Sequence, residues 1–457
     1  MNKRILGLAF PNIITNITVP LLGMVDMAIV GHLSSSHIGA ITIGTSIFNL
    51  IYWNFGFLRM GTSGFTAQAF GAQRWDEAVK TLVRACAIAL AIALLLIGLQ
   101  WPISRLALVI FEGSDEVMRL ALTYFFVRIW AAPATLGLYA VKGWFIGMQD
   151  SKTPMWIAIA LNCVNILCSL LFVLVLHWDI AGVALGTVIA QYSGLAMGIL
   201  FLRKKWRAES GKWKAECPQL SSFHFNRSSL SGALHWEDMR RFFKVNGDIF
   251  LRTVCLSAVF TFITAASGRI GDEVLAIDAL LLQFFTLFSY IMDGFAYAGE
   301  SLVGRYIGAR EKRNLRSAVR LLILWGLILT AAFMLLYALF SQQFLHIFTS
   351  DSMLIAAAGD YIGWVLAIPL CGFAAFLLDG IFIGATASRT MRNAMFAATA
   401  AFFILYFGLK ALASSQWSLD THTWNNILWT AFMAFLILRG LLQGLRVRKD
   451  IYGRIDS

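Results

Sequence analysis

The tripeptide Phe145-Ile146-Gly147 occurs again as Phe382-Ile383-Gly384, and the two copies stand 237 positions apart (382 − 145 = 237). Further matches at this offset are Gly31 with Gly268, Phe111 with Phe348, Tyr124 with Tyr361, Ser151 with Ser388 and Thr153 with Thr390. This period is far longer than the ~20–50 residues of solenoid units, so the chain consists of two related halves. In membrane proteins, duplicated halves are typical of secondary transporters, whose substrate site lies between the repeats.

The composition indicates a membrane protein. Hydrophobic residues make up 59% of the 457 residues and charged residues only 14%, whereas soluble domains carry about 25% charged residues. Several of the apolar stretches exceed the ~20 residues that a helix needs to cross a bilayer. The twelve predicted transmembrane helices are 5–33, 38–70, 77–101, 117–147, 155–177, 180–202, 246–270, 273–304, 317–341, 354–384, 394–416 and 423–445. The first begins directly after Met1-Asn2-Lys3-Arg4 without a small-residue cleavage site, so we expect no cleavable signal peptide.

Each half contains six predicted spans, and an even number gives both halves the same orientation. The sequence therefore predicts an all-α integral membrane protein of two six-helix bundles, related by a pseudo-two-fold axis along the membrane normal. The predicted divisions are an N-terminal lobe at 1–202, a basic cytoplasmic linker at 203–245, a C-terminal lobe at 246–446 and a cytoplasmic tail at 447–457.

Lysine and arginine are concentrated in the connections that share a side with both termini, including ten between Arg203 and Lys244. The opposite side holds only Arg105, Arg119 and Arg269. By the positive-inside rule both termini are predicted to be cytoplasmic, in a multi-pass protein of the cell inner membrane. Because basic loops facing anionic lipid explain the net charge of +12, we expect membrane lipids and no nucleic acid as partners.

Asp26 is the most informative charge, because it lies inside the first predicted span. A carboxylate in a membrane helix costs ~2.5–3.5 kcal/mol, so it normally lines a cavity or has a partner. Such a group can carry a proton or sodium ion, although a purely structural hydrogen-bonded carboxylate is the alternative. Pro11 and Pro20 lie in the same span and remove backbone hydrogen bonds, so this helix is predicted to bend. An ordinary kink at Pro20 and a helix start at Pro11 are the alternatives.

The fifth and sixth predicted spans carry polar side chains that could accompany Asp26. Asn165 and Ser169 stand four residues apart and share one helix face, and Thr187 lies in the next span. Their oxygen atoms would suit a hard cation such as sodium. Taken alone, these residue types are more typical of interhelical hydrogen bonds.

The second half contributes further charges. Asp293, Asp379 and Arg252, with Lys142 of the first half, are predicted to line the cavity for substrate or protons. Lys142 and Asp379 occupy the same repeat position (379 − 142 = 237), so we hypothesise that they pair in one transport state. Glu300 is predicted to be a solvated residue near the cytoplasmic helix end.

Together with the twelve spans, several short motifs resemble multidrug and toxic compound extrusion (MATE) transporters, and two are similar to the DinF-like branch. The motifs of the wider family are Asp26 before Val30-Gly31-His32, Gly71-Ala72-Gln73 after the second span, and the stretch from Gly147 to Pro154 after the fourth. Those of the DinF-like branch are Leu378 to Thr386 and Met391 to Met395. The resemblance covers nearly the whole chain outside the linker.

The resemblance implies export of organic molecules in exchange for protons or sodium by alternating access. It assigns the coupling carboxylate to Asp26, its partners to Asn165 and Thr187, and the bending proline to Pro11. Many relatives carry a second aspartate where this chain has Ser169, so the cluster here has one negative charge fewer. The serine favours proton coupling, while sodium binding at Asp26, Asn165 and Thr187 stays open.

We therefore expect a monomeric antiporter for small amphipathic organic substrates, with no cofactor besides the coupling ion. A flippase for lipid-linked oligosaccharides or lipids is the alternative, because Lys142, Arg59, Arg128 and Arg252 could form a basic cavity. An enzyme is not expected, since the sequence contains no HExxH motif, no GxSxG motif and no His/Asp cluster.

Overall fold

The computed structural model describes residues 1–31, 34–111, 114–216, 235–416 and 420–455. Throughout these residues the regular elements are helices, and there is no strand. The helices of the first half are α1 (Asn2–Gly31), α2 (Ser35–Asn54), α3 (Phe57–Gly71), α4 (Trp75–Gly98), α5 (Gln100–Ile110), α6 (Asp115–Arg128), α7 (Ala132–Gly147), α8 (Lys152–Leu170) and α9 (Asp179–Glu216). Those of the second half are α10 (Trp236–Ile270), α11 (Asp272–Gly308), α12 (Lys312–Phe348), α13 (Ser352–Gly359), α14 (Ile362–Gly384), α15 (Ser388–Gln416) and α16 (Thr421–Asp450).

The twelve transmembrane helices predicted from the sequence are confirmed. Twelve helical segments of the described chain are long and apolar enough to cross a membrane, and each overlaps one predicted span. The segment Lys312–Phe348 has 37 residues. At 1.5 Å per residue it is about 55 Å long, which exceeds the ~30 Å hydrocarbon core, so it must tilt or project into water.

Both predicted polar segments contain regular structure. Of the predicted linker 203–245, the first part continues α9 to Glu216 and the last part begins α10 at Trp236, while residues 217–234 lie outside the described residues. Within the predicted tail, α16 continues to Asp450 and a 3₁₀ turn follows at Tyr452–Ile455. Arg454 of this turn donates to the Thr386 hydroxyl at 3.0 Å, so the turn is held against the residues that follow α14.

The chain forms two compact units, and their division differs from the predicted lobes at the start of the chain. The first unit is Ile14–Asn246, and the second unit combines Met1–Ile13 with Gly247–Ser457. The first turns of α1 therefore belong to the second unit, where Arg4 donates to the Tyr306 hydroxyl at 3.1 Å. Local hydropathy could not reveal this assignment, because it depends on contacts between residues about three hundred positions apart.

The duplication is visible in the backbone. Gln73 and Arg310, which end α3 and α11, adopt left-handed φ angles of 56° and 57° and differ by the repeat offset (310 − 73 = 237). Gln149 and Thr386, after α7 and α14, adopt 59° and 51° at the same offset. Because side chains other than glycine rarely adopt this conformation, the matching positions show that both halves end these helices in the same way.

Close helix packing repeats as well. A Cβ atom at Gly143 of α7 would collide with the carbonyl oxygen of Arg59 on α3, and one at Gly380 of α14 with that of Ala296 on α11. Both pairs follow the offset (380 − 143 = 296 − 59 = 237). Small residues let membrane helices approach until their backbones touch, so these glycines set the spacing of the central helix pair in each unit.

Replacing Gly380 should therefore destabilise the second unit. We expect Gly380→Ala to lower stability by about 1–3 kcal/mol, because the added methyl group must displace the α11 backbone. Gly408→Ala on α15 is the matched control, since no atom lies within 4 Å of its Cβ position. Heating in detergent, followed by gel filtration of the remaining folded protein, measures both; equal midpoints would contradict the packing argument.

Candidate functional site

A buried polar cluster lies where α1, α8 and α9 meet, and we call it the Asp26 cluster. It consists of Asp26, Asn165, Ser169 and Thr187, each no more than 3% exposed. The Ser169 hydroxyl lies 3.5 Å from Asp26 Oδ1, and Asn165 Nδ2 donates to Thr187 Oγ1 at 3.1 Å. The structure thus brings together the four residues that the sequence suggested for cation coupling.

Local features of α8 and α9 position this cluster. A Cβ at Gly186 would lie 2.8 Å from the Ser169 hydroxyl, so the glycine lets α9 approach α8 at the level of Asp26. Directly after Ser169, α8 passes into a π-helical turn at Leu171–Val175. Such turns are frequent at functional sites because the wider ring reorients neighbouring side chains.

The hydrogen bonds leave the cluster with unused acceptors. The Thr187 hydroxyl has two acceptors within reach, the Val183 carbonyl at 3.1 Å and the Asp26 carboxyl, and it accepts from Asn165. The Asn165 Oδ1 atom is buried and has no hydrogen-bond partner in the described part of the chain. An amide oxygen beside a buried carboxylate is suited to a proton on the carboxylate or to a small cation between the two.

Arg128 supplies the positive charge that acts on Asp26. It ends α6, where a cation is favoured by the helix dipole. A 3₁₀ turn then leads into α7, which has Pro133 in its first turn and continues the same span. Its guanidinium donates to the Tyr124 hydroxyl at 2.5 Å and lies 4.9 Å from the centre of the Phe48 ring. Aromatic contacts therefore hold this cation in place whether or not Asp26 carries a charge.

The two prolines proposed for bending lie within a continuous helix. In α1, which runs unbroken from Asn2 to Gly31, Pro11 is buried and Pro20 is half-buried. The boundary of the compact units falls between Ile13 and Ile14, hence between the two prolines. Bending of α1 stays a prediction.

The second unit contains a buried charge cluster centred on Asp379, here called the Asp379 cluster. The Asp379 carboxylate accepts hydrogen bonds from Arg252 of α10 and from Arg439 and Gln443 of α16, the last at 2.8 Å. Arg439 is only 1% exposed, and its guanidinium lies 5.8 Å from the Phe376 ring centre. A carboxylate between two arginines stays ionised, so this cluster is a fixed charge network.

The sequence analysis predicted only part of the Asp379 cluster. Arg252 and Asp379 were both predicted to line a cavity, and here they are in direct contact. Arg439 and Gln443 were missed, although an arginine inside the last apolar span was a usable signal. Asp293, also predicted for the cavity, is half-buried, and its charge acts on Arg439.

The predictions for two other charged residues, Lys142 and Glu300, have different outcomes. Lys142 is half-buried in the first unit and feels the like charge of Arg59, and its pairing with Asp379 stays a prediction. The prediction that Glu300 is solvated is wrong, because this residue is 0% exposed. At Gly384 a Cβ would collide with the Glu300 carbonyl oxygen, so α14 passes close enough to bury this part of α11.

In the described ranges, no group of three or more His, Cys, Asp or Glu residues could hold a metal ion. The ionisable groups buried in both units instead include the single carboxylate of the Asp26 cluster and the three charges of the Asp379 cluster. This pattern is typical of membrane proteins in which ionisable groups mark an ion or substrate path.

Comparison with known proteins places the fold and the family. The MatE family profile matches residues 11–171 and 249–412, covering most of both halves. The chain is 35% identical to DNA damage-inducible protein F of Escherichia coli (strain K12), over 96% of this chain and 90% of that protein. It is 24% identical to the probable multidrug resistance protein NorM of Photorhabdus laumondii, over 79% and 77% of the two chains.

A solved structure, the crystal structure of MATE in the bent conformation, has a TM-score of 0.79 to this chain. The superposition covers 99% of this chain and 97% of the other at 17% identity, which establishes a shared fold. With the family profile matched in both halves and the fold shared throughout, this multi-pass membrane protein belongs to the MatE family of multidrug and toxin extrusion transporters.

Proposed function

We propose that this chain is a secondary active antiporter that exports small amphipathic organic compounds and is driven by a proton gradient through alternating access. The observation that carries the proposal is the Asp26 cluster, a buried carboxylate beside an amide oxygen with no hydrogen-bond partner in the described residues. A gradient can act only on a group that gains and loses a cation during the cycle. Asp26 has the chemistry for that step.

Proton coupling is favoured over sodium by the ligands of the site, because the two cations give it the same net charge. Asp26 is the only carboxylate of its cluster, and Ser169 contributes a neutral hydroxyl. The charges of ionised Asp26 and Arg128 cancel each other. Binding of either a sodium ion or a proton would therefore raise the net charge of the site to +1. A proton needs no further ligands, whereas sodium would have to be held by Asp26, Asn165 and Thr187 with little negative charge.

The energy available is sufficient for accumulation. One elementary charge crossing 100 mV releases about 2.3 kcal/mol, which corresponds to a concentration ratio of about 50. Coupling through one carboxylate therefore supports useful export.

The membrane setting follows from the charge pattern. We infer a cell inner membrane location with both termini cytoplasmic, because the basic connections share one side with the termini. The partners proposed are the organic substrate and membrane lipids, for a protein that acts as a monomer without a cofactor other than the coupling ion.

The flippase alternative would be favoured by the buried arginines of the second unit. Arg252 and Arg439 together could bind an anionic headgroup. However, Asp379 accepts from both of them, and the charge of Asp293 also acts on Arg439, so little positive charge is left for a ligand. Antiport of organic compounds remains the better-supported function.

Proteoliposomes containing the full chain test this proposal. Ethidium serves as the probe, and its export is followed by fluorescence under a pH gradient alone and under a sodium gradient at equal pH. We expect export with the pH gradient and its loss when a proton ionophore is added. Export that depends on neither gradient would contradict antiport, and export with sodium alone would assign the other ion.

Removing the Asn165 amide, which hydrogen-bonds the Asp26 carboxyl, should weaken coupling. We expect Asn165→Ala to lower pH-driven ethidium export about tenfold, the effect of losing one hydrogen bond to a charged group. Asn162→Ala is the matched control on α8, because Asn162 is half-buried and donates to a backbone group, the Thr18 carbonyl, at 2.8 Å. Equal losses in both variants would show that Asn165 acts by packing alone.

A further inference from the structure

A second buried carboxyl lies in the second unit, at the start of α11. Asp278 is 2% exposed and is contacted by two neighbouring helices. Its Oδ1 atom accepts from Trp429 Nε1 at 2.7 Å and from Asn425 Nδ2 at 3.0 Å, both on α16. The hydroxyl of Ser267, on α10, contacts its Oδ2 atom. The family resemblance and the Asp26 cluster assign no role to this residue.

Asp278 differs from Asp379 and Asp26 in its surroundings. Asp379 lies between two arginines, and Asp26 feels the charge of Arg128. Among the residues that the structure describes, no basic side chain forms an ion pair with Asp278, and its contacts are neutral donors. An ionised carboxylate without a counter-charge is costly inside a membrane protein, whereas a neutral carboxylic acid is well accommodated there.

The hydrogen count at Ser267 gives independent support for a neutral acid. Its hydroxyl lies 2.9 Å from the Ile263 carbonyl oxygen and also contacts Asp278 Oδ2, yet a serine has one proton to donate. If Asp278 is ionised, the hydroxyl can satisfy only one of these acceptors. If Asp278 is protonated on Oδ2, it donates to Ser267, and Ser267 donates to Ile263. Both contacts are satisfied only in the protonated form.

A route of polar and aromatic contacts leads from this carboxyl to the exposed His422. Asn425, which donates to Asp278, also hydrogen-bonds the Tyr361 hydroxyl. The Tyr361 ring lies 5.2 Å from the ring of His422, which is exposed. His422 lies at the start of α16, directly after the eleventh span, and α11 starts directly after the seventh span. Because all odd-numbered spans end on the same side of the membrane, His422 and the start of α11 lie at the same end of the unit. On the orientation proposed above, this end faces away from the cytoplasm.

The other acidic groups at this end are exposed, whereas Lys410 of α15 is half-buried and lies 3.9 Å from the centre of the Trp424 ring. None of these groups forms an ion pair with Asp278 in the described ranges. Asp272 and Glu273 lie on the first turn of α11, and Arg269 lies at the end of α10. Asp360 and Asp420 act on Tyr361 through their negative charge. The acidic excess near Tyr361 would attract protons from solvent to the start of the route.

We propose that Asp278 is a second proton-binding site, separate from Asp26, that exchanges protons with water entering from the non-cytoplasmic side past Asn425, Tyr361 and His422. The proton moves as H⁺ between water and the carboxylate, so no bond other than O–H forms or breaks. This inference rests on the proposed antiport for its consequence, which is that each transport cycle can carry protons at two separate carboxyls.

Asp278→Asn tests the proposal in the full-length chain. An asparagine has the same shape, can accept from Trp429 and can donate to Ser267, so the variant should fold. The first measurement is pH-dependent infrared difference spectroscopy of proteoliposomes, without substrate. We expect a carboxylic-acid carbonyl band that is lost in Asp278→Asn and retained in Asp26→Asn. The control Glu273→Gln, which changes an exposed carboxyl on the same helix, should leave the band unchanged.

The second measurement is the ratio of protons taken up to ethidium exported. This ratio should fall by about half in Asp278→Asn, because one of two proton-binding carboxyls is gone. If the variant fails to fold, Asp278→Glu replaces it and must shift the infrared band instead of removing it. An unchanged spectrum and an unchanged ratio would overturn the proposal and leave Asp278 as a structural hydrogen-bond acceptor. If wild-type protein shows no proton-driven export, the proposed function fails, while the infrared result still decides whether Asp278 titrates.

Discussion

Asp26→Asn should abolish gradient-driven export. The substitution keeps the size of the side chain and its contact with Ser169, but the amide neither binds nor releases a proton at physiological pH. An accumulation ratio of up to about 50 per 100 mV should therefore fall to about 1, because the gradient no longer acts on any group of this cluster. The measurement is ethidium export from proteoliposomes under an imposed pH gradient.

Two comparisons make this result specific to coupling. Asp115→Asn, which changes an exposed carboxyl at the start of α6 in the same compact unit, should export at the wild-type rate. Downhill movement of ethidium through Asp26→Asn should persist, since the substrate path is intact. If the Asp26→Asn protein accumulates ethidium to the wild-type level, Asp26 is not the coupling residue. Loss of downhill movement as well would indicate a folding defect, which gel filtration detects.

Asp379→Asn should produce the largest loss of stability. The substitution leaves the guanidinium groups of Arg252 and Arg439 buried together without a counter-charge. Removing one partner of a buried ion pair costs about 3–5 kcal/mol, and here two cations are left repelling each other. We expect Asp379→Asn to lose most of its folded protein in a detergent heating series where wild type remains folded.

The matched control is Asp76→Asn, which breaks the pair with Lys80 at 3.3 Å near the start of α4. This pair is partly exposed, so its loss should lower stability by less than about 1 kcal/mol. Asp379→Glu retains the charge and should fall between the control and Asp379→Asn. If Asp379→Asn and Asp76→Asn behave alike, the buried cluster is not a structural requirement.

The sequence predicted the fold well because the bilayer imposes a simple rule. A helix must be apolar for about 20 residues, so the twelve spans could be read from hydropathy alone. The repeat offset likewise follows from identical residues, and it reappears in the φ angles of Gln73 and Arg310. Both the spans and the repeat offset can be read from the order of residues along the chain, so each could be predicted without a structure.

The clusters were less predictable because their members are distant in sequence. Asn165 and Ser169 share a helix face by spacing, and the family resemblance linked them with Asp26. No spacing rule joins Asp278 to Asn425, which lies 147 residues away, or Asp379 to Arg439, which lies 60 away. The interpretation of Glu300 failed for the same reason, since its burial depends on the path of α14.

The division of α1 between two compact units has a consequence for biosynthesis. Met1–Ile13 leave the ribosome well before the rest of their unit, because Gly247–Ser457 follow only after 233 intervening residues (246 − 13 = 233). At about 5–20 residues per second, this opening segment waits roughly 12–47 s for its packing partners. During that interval its apolar side chains need lipid or an insertion factor as temporary neighbours, so truncating the first turns should impair assembly of the distant half of the protein.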